Sequence, residues 1–388
     1  MVTPYFLGKI ATIPYVAVRT LIEYYTVGTV YQKTSSNEFG NSLWKNLHLS
    51  IEYHLSGSLQ KSDVKTFAYS PLSKVFQSFE KNKHPLLEDL NNFAKPLDKY
   101  SYWISESEGA ENVLIYIHGG GYLLGMFEAQ LVGFMALYYA LSPEIRKKTS
   151  FLIVDYSLTL FDHVFPTQLW ETLSSYKTLV DNGYKNIHLF GESAGAHLAL
   201  TLSRYVAYPE EAQEIFSKFP QFDFSSFKNL PQPVSLVLES PWVQPCTQPI
   251  LPPPQGQNIY GDLGALDTSM GDYYVEGIDK EIIKDFLTFT QTNYDDHWSK
   301  VQAITSGKTI VLYGEREVLR DAIQKFHGII NKNDNVSKYM EVGGIHSALV
   351  YVESLDFIST EGAQKAVQGD FEKKFAYTTI SKFYGEVI

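Results

Sequence analysis

The sequence predicts an α/β fold: a mostly parallel central sheet covered by helices. Three observations carry that prediction. Short apolar runs recur from about residue 112 onward, at Val113–Ile117, Phe151–Val154, Ile187–Phe190, Val234–Leu238 and Thr309–Tyr313. Uninterrupted runs of this kind belong to strands buried on both faces. Helical patterns alternate with them, which is how a parallel sheet is assembled. Finally, Gly191-Glu192-Ser193-Ala194-Gly195 fits G-x-S-x-G, the strained strand-to-helix turn that lifts a serine above such a sheet.

The elements follow in order. Residues 1–100 show helical stretches broken by polar loops: a turn-rich stretch at Ser35–Asn41, and breaks at His84-Pro85 and Lys95-Pro96. We expect them to form an N-terminal helical cap or lid. Residues 101–388 are expected to form the catalytic domain. Its helices are predicted at Glu128–Leu141, Thr167–Asn182, Ala194–Tyr208 and Leu319–Asn331. Two stretches interrupt the rhythm, an insertion near 209–233 and a longer one near 245–300. The longer carries Pro252-Pro253-Pro254 and is expected to cross the C-terminal edge of the sheet and face substrate.

Composition narrows the partners. A net charge of −11 argues against a nucleic-acid surface, which needs a basic stripe. The single cysteine, Cys246, excludes an intrachain disulfide and reads as an inert buried thiol. The 27 tyrosines and 24 phenylalanines suit an aromatic-lined pocket for a bulky apolar ligand as well as core. There is no zinc pattern, CxxC, Walker loop or repeat, so no metal or organic cofactor is expected. Asn335-Val336-Ser337 is a sequon of a kind that arises by chance. In residues 1–30 the longest uncharged run, Ile10–Val18, is far shorter than the ~18–20 residues needed to span a bilayer. That segment is either an amphipathic helix packed on the domain as part of a lid, or one that rests on a membrane surface or is the remnant of a lost anchor. Oligomeric state is not legible.

The chemistry starts at Ser193. A serine hydroxyl needs an adjacent base and a tight placement. Gly191, Ala194 and Gly195 permit the sharp turn. His118-Gly119-Gly120-Gly121 follows the first apolar run directly, where glycines can aim backbone N–H groups at a developing oxyanion. The donors assigned are Gly120, Gly121 and Ala194, with Gly119 and His118 shaping the loop. The base is expected late in the chain. His346, after Gly343-Gly344-Ile345, fits better than His327, which falls in a helical pattern and is expected at the surface, or than His297 in the long insertion. An acid should orient that imidazole. Glu315, Glu317 and Asp321 all follow the last apolar run, and spacing does not rank them.

These residues resemble the hormone-sensitive-lipase-like branch of the α/β-hydrolases. That branch carries HGGG, then D-Y-R-L-A-P-E and a F-P helix, G-D-S-A-G, S-P-W, D-P-L-x-D and a late histidine. Here stand His118-Gly119-Gly120-Gly121-Tyr122, Asp155-Tyr156-Ser157-Leu158, Phe165-Pro166, Gly191-Glu192-Ser193-Ala194-Gly195, Ser240-Pro241-Trp242 and Glu317-Val318-Leu319-Arg320-Asp321, in the same order over roughly residues 112–350. The resemblance implies that Glu317 is the triad acid. Glutamate replaces aspartate in both the serine and the acid motif, and Ser157-Leu158-Thr159 replaces R-L-A, so the subgroup is divergent. The combination is similar to the fungal steryl acetyl hydrolases. That implies an α/β-hydrolase fold and a serine esterase that removes acetyl groups from a bulky apolar alcohol such as a sterol. It also implies an intracellular location at or near the endoplasmic reticulum, with the cytoplasm as the alternative. Acyl transfer to an alcohol through the same acyl-enzyme, or a non-catalytic binding protein on this fold, are the other readings.

Overall fold

The computed structural model describes residues 2–33, 42–56, 59–247, 261–264 and 268–388. The stretch Ser35–Asn41 and the run Pro252-Pro253-Pro254 lie outside the described residues. Seven strands form one sheet: β1 (Ser101–Ser105), β2 (Asn112–Ile117), β3 (Thr149–Val154), β4 (Asn186–Glu192), β5 (Ser235–Glu239), β6 (Thr309–Gly314) and β7 (Ser337–Glu341). Their order is β1-β3-β2-β4-β5-β6-β7, with β1 antiparallel to β3 and every other pairing parallel. The helices used below are α1 (Pro4–Tyr25), α2 (Leu43–Ser56), α3 (Leu72–Asn82), α4 (Glu128–Ala140), α5 (Thr167–Asp181), α6 (Ala194–Ala207), α7 (Lys280–Leu287), α8 (Arg320–Ile330) and α9 (Phe375–Val387).

The apolar runs are continuous because both faces are covered. In β2, Val113, Ile115 and Ile117 join the core under α5 and α6, while Leu114 and Tyr116 join the one under α4 and α9. Period-2 alternation sends successive side chains to opposite faces, so the middle of the strand is apolar on both. Each fully buried aliphatic side chain contributes about 1.5–3 kcal/mol.

The predicted strands and helices stand within a residue or two of their expected bounds. β1 was not foreseen; it is a short edge strand with serine at both ends. His327 departs from expectation. It lies on α8 but is 7% exposed, with Nε2 2.8 Å from the Val336 carbonyl oxygen. α8 turns that face inward, and the imidazole ties it to the start of β7. Cys246 is half-buried, and burial pushes its thiol up to about 11, so it stays protonated.

Within the N-terminal hundred residues, Asp63 accepts from the Thr3 backbone N–H at 2.7 Å and from its hydroxyl at 2.8 Å. The segment is tied to the body by ion pairs: Lys61 reaches Asp162 at 2.8 Å. Lys45 of α2, 1% exposed, reaches Asp356 at 2.6 Å. No helix among the described residues is long and apolar enough to cross a membrane.

Candidate active site

The parallel strands deliver their C-terminal ends to one edge of the sheet, and the site is built there. β4 ends at Glu192 and α6 begins at Ala194, so Ser193 alone makes the turn. It does so at φ 53° and ψ −115°, a conformation most side chains avoid. Its N–H donates to the Glu239 carbonyl at 2.9 Å and its own carbonyl accepts from Trp242 at 3.1 Å, which pins the turn to the end of β5. The turn needs small neighbours. A Cβ on Gly195 would lie 1.9 Å from the Ile117 carbonyl oxygen, so only glycine lets α6 sit this close to β2.

His346 follows β7 and Glu317 follows β6. The structure brings both to Ser193. Nε2 of His346 lies 2.9 Å from Ser193 Oγ, and Nδ1 lies 3.1 Å from a carboxylate oxygen of Glu317. With its proton on Nδ1 donated to Glu317, the imidazole is left to accept from the serine hydroxyl at Nε2. Ser193, His346 and Glu317 are 8%, 3% and 0% exposed. Burial by itself depresses an imidazole. At His346 the hydrogen bond and charge of Glu317, with the charges of Asp262 and Glu192, outweigh burial and raise its proton affinity above the usual value. The other two carboxylates point elsewhere. Glu315 accepts from the Gly343 N–H at 2.8 Å, and Asp321 pairs with Arg320 at 2.7 Å.

The His118–Gly121 loop faces Ser193. Gly120 and Gly121 have φ of 98° and 60°, and the backbone N–H groups of Gly120, Gly121 and Ala194 have no acceptor among the described residues. Amides free to donate beside a serine hydroxyl can hold an oxyanion. His118 is fully buried; its ring stacks on Tyr156 at 4.2 Å and Nδ1 lies 2.7 Å from the Gly119 carbonyl. Burial lowers its proton affinity to about 4, so it is neutral and shapes the loop.

Glu192 joins the parts. One of its oxygens accepts from the Gly119 N–H at 2.7 Å, Gln130 Nε2 at 2.7 Å and the Tyr116 hydroxyl at 3.2 Å. The other accepts from the Ser347 hydroxyl at 3.0 Å. A Cβ on Gly119 would lie 2.4 Å from this carboxylate, which is why that position is glycine. The glycine loop, the serine turn and the histidine loop are thus held by one side chain.

A cavity of about 270 Å³ opens above Ser193. Its floor is Gly120, Gly121, Ser193 and His346, with Trp242 and Leu124 on the walls. Leu263, Ser269 and Met270 enter from the long insertion. The roof comes from the N-terminal hundred residues: Phe6 of α1, Leu55 of α2, then Leu59 and Phe67. Sequence reasoning missed two contributors. Nothing in a single sequence marks Phe6 as a wall residue, and Asp262, a buried carboxylate touching the backbone of both His346 and Val318, sits in no motif.

Comparisons with known proteins agree with this architecture. A family model described as steryl acetyl hydrolase matches residues 16–359. The Schizosaccharomyces pombe protein mug81, which bears a steryl acetyl hydrolase name, is 27% identical over 406 residues, covering 100% of this chain and 99% of its own. Among solved structures, a hormone-sensitive lipase from a metagenome library has a TM-score of 0.50 at 18% identity, covering 88% of this chain and 98% of its own. The esterase EstE5 has a TM-score of 0.50 at 20% identity, covering 82% and 97%. At these identities the structures speak for the fold, which is that of the α/β-hydrolases.

Proposed function

The chain belongs to the steryl acetyl hydrolase family and is a carboxylic ester hydrolase; from that premise we propose that it cleaves acetyl esters of a bulky apolar alcohol, a sterol acetate in the first instance, through Ser193, His346 and Glu317. The observation that carries this reading is the His346 imidazole, 2.9 Å from the Ser193 hydroxyl and 3.1 Å from Glu317, on the floor of an apolar cavity.

The chemistry follows from the contacts. Ser193 Oγ bonds to the acyl carbon as its proton passes to His346 Nε2. The carbonyl oxygen takes the negative charge and is held by the N–H groups of Gly120, Gly121 and Ala194, each worth about 3–4 kcal/mol in the transition state. Glu317 stabilises the imidazolium formed at that moment. The ester C–O bond then breaks, and the proton on Nε2 goes to the departing alkoxide. Water repeats the sequence on the acyl-enzyme, giving His346 a proton and releasing the acid and the free serine.

The test is hydrolysis of p-nitrophenyl esters from acetate to palmitate, followed by sterol acetates, with Ser193→Ala alongside. Activity that peaks at acetate, extends to sterol acetates and disappears in the variant is expected. Full activity in Ser193→Ala would overturn the mechanism, and a palmitate optimum would overturn the acetyl assignment.

A lipid surface is the second partner we propose. α1 carries Leu7, Ala11, Pro14, Val18, Ile22 and Tyr25 at helical spacing, all exposed. Its other side contributes Phe6 to the cavity. A helix lying on a membrane would place the cavity roof where sterol esters dissolve. Co-sedimentation with phospholipid vesicles checks this, and protein left wholly in the supernatant would rule it out.

A further inference from the structure

Asp262 lies in the loop between β5 and the helix Ser269–Tyr274 and is 1% exposed. Its two oxygens have separate tasks. Oδ1 accepts the backbone N–H of His346 at 2.7 Å, and Oδ2 accepts the backbone N–H of Val318 at 2.8 Å. Val318 directly follows Glu317. One side chain therefore joins the backbone at the base to the backbone beside the acid. The turn that carries it is held in place as well. Tyr31, wholly buried in the segment after α1, donates its hydroxyl to the Gly261 carbonyl at 3.1 Å. The tyrosine ring is so close that a Cβ on Gly261 would come within 2.7 Å of it.

We propose that Asp262 is a positioning residue of the ester-hydrolysing site: a buried clip that sets the geometry of His346 against Glu317 and is kept in place by Tyr31 of the N-terminal segment. This rests on the Ser193–His346–Glu317 reading above. The imidazole and its carboxylate come from loops after different strands, β7 and β6, and a misplacement of about 1 Å at such a pair can slow a reaction by about 100-fold. A bridge between the two loops removes that freedom. The clip also acts through its charge. The groups facing the imidazole are Glu317, Asp262, Glu192, Ser193 and the ring of Tyr351; Arg316 and Tyr31 also interact electrostatically with Asp262. A buried negative charge beside the ring favours the imidazolium that forms when Ser193 attacks.

Asp262→Asn keeps the shape, removes the charge and turns an amide NH2 toward one of the two N–H groups. With p-nitrophenyl acetate, kcat is expected to fall about 10–100-fold, with KM moving less than about threefold. The acid limb of kcat/KM is expected to shift to lower pH by about 0.5–1 unit, a change that loss of packing would not produce. A fluorophosphonate should still label Ser193 stoichiometrically, but more slowly. A kcat within about twofold of wild type and an unmoved limb would sink the proposal. Failure of the triad reading would show separately, as activity in Ser193→Ala whatever Asp262→Asn does. If the asparagine variant does not fold, Tyr31→Phe decides, because it leaves the carboxylate in place. A kcat about 2–5-fold lower at constant KM supports the clip, and a wild-type kcat overturns it.

Discussion

The floor and the roof of the cavity are built on opposite plans. α6, which starts at the serine turn, buries all of its 14 residues, while α1, which overhangs the cavity, buries only Phe6 and Thr20 of its 22. In the floor, the buried carboxylate of Glu192 is met by four donors and that of Asp262 by two backbone N–H groups. In the roof, apolar side chains such as Tyr15, Val18 and Ile22 face outward. Buried hydrogen-bonded groups have few alternative arrangements, whereas a helix held by few contacts can shift at little cost. Under the proposed function, reactivity and selection would have separate owners: the floor would set the rate of the chemical step and the roof what reaches it.

That division can be broken or sharpened by substitution. The largest effect should come from His346→Ala, which removes the group joining the serine to its acid. We expect kcat to fall about 10⁴–10⁶-fold with the fold intact, measured by ester hydrolysis and circular dichroism. A loss below about tenfold would assign the base elsewhere. Next comes Glu192→Ala, which leaves four donors without their acceptor. Urea denaturation should show a loss on the order of 3–5 kcal/mol, and a loss under about 1 kcal/mol would mean that the floor is not the rigid half.

The pH profile comes third. A base works only when neutral, and the carboxylates around His346 raise its proton affinity, so the imidazole stays protonated to higher pH than a free one. Activity should therefore be lost as pH falls, and the acid limb of kcat/KM should lie above about 6.5. A limb well below that value would mean that burial dominates. A smaller and more selective effect is expected in the roof. Leu55→Trp should raise KM for sterol acetates about tenfold while altering hydrolysis of p-nitrophenyl acetate less than about twofold. Equal loss on both substrates would erase the division of labour. The smallest effect should be Val18→Glu on the outward stripe of α1, within about 0.5 kcal/mol in stability, with vesicle binding as the property that changes.

The same contrast explains what was legible in the sequence. β2 to β6 could be read because a strand buried on both faces leaves an unbroken apolar run. β7 gave a fainter signal because four of its five residues are exposed. β1 lies at the sheet edge, where four of its five residues pair with β3 and little periodicity accumulates. In the site, Ser193 and the glycine loop were legible because sharp turns and close backbone approach admit few residue types. Glu315, Glu317 and Asp321 could not be ranked by spacing, since which carboxylate reaches the imidazole depends on how two loops fold toward each other. Asp262 was invisible for the same reason: its partners are backbone N–H groups 56 and 84 positions away, and backbone leaves no mark in a sequence. His327 reads as a surface residue in the sequence because periodicity gives a helix face but not which neighbours cover it.

The anchoring of Glu192 has a consequence for the chain during its own synthesis. Its partners begin at Tyr116 and end at Ser347, and His346 stands beside the last of them. A ribosome that has produced the glycine loop and the serine turn has made neither the imidazole nor the hydroxyl that completes the carboxylate's shell. A chain that stalls or is cut before that point carries a serine with no base. In the proposed mechanism the base is thus supplied late, with the last part of the fold, and a chain that ends short of His346 would hold the serine turn without it.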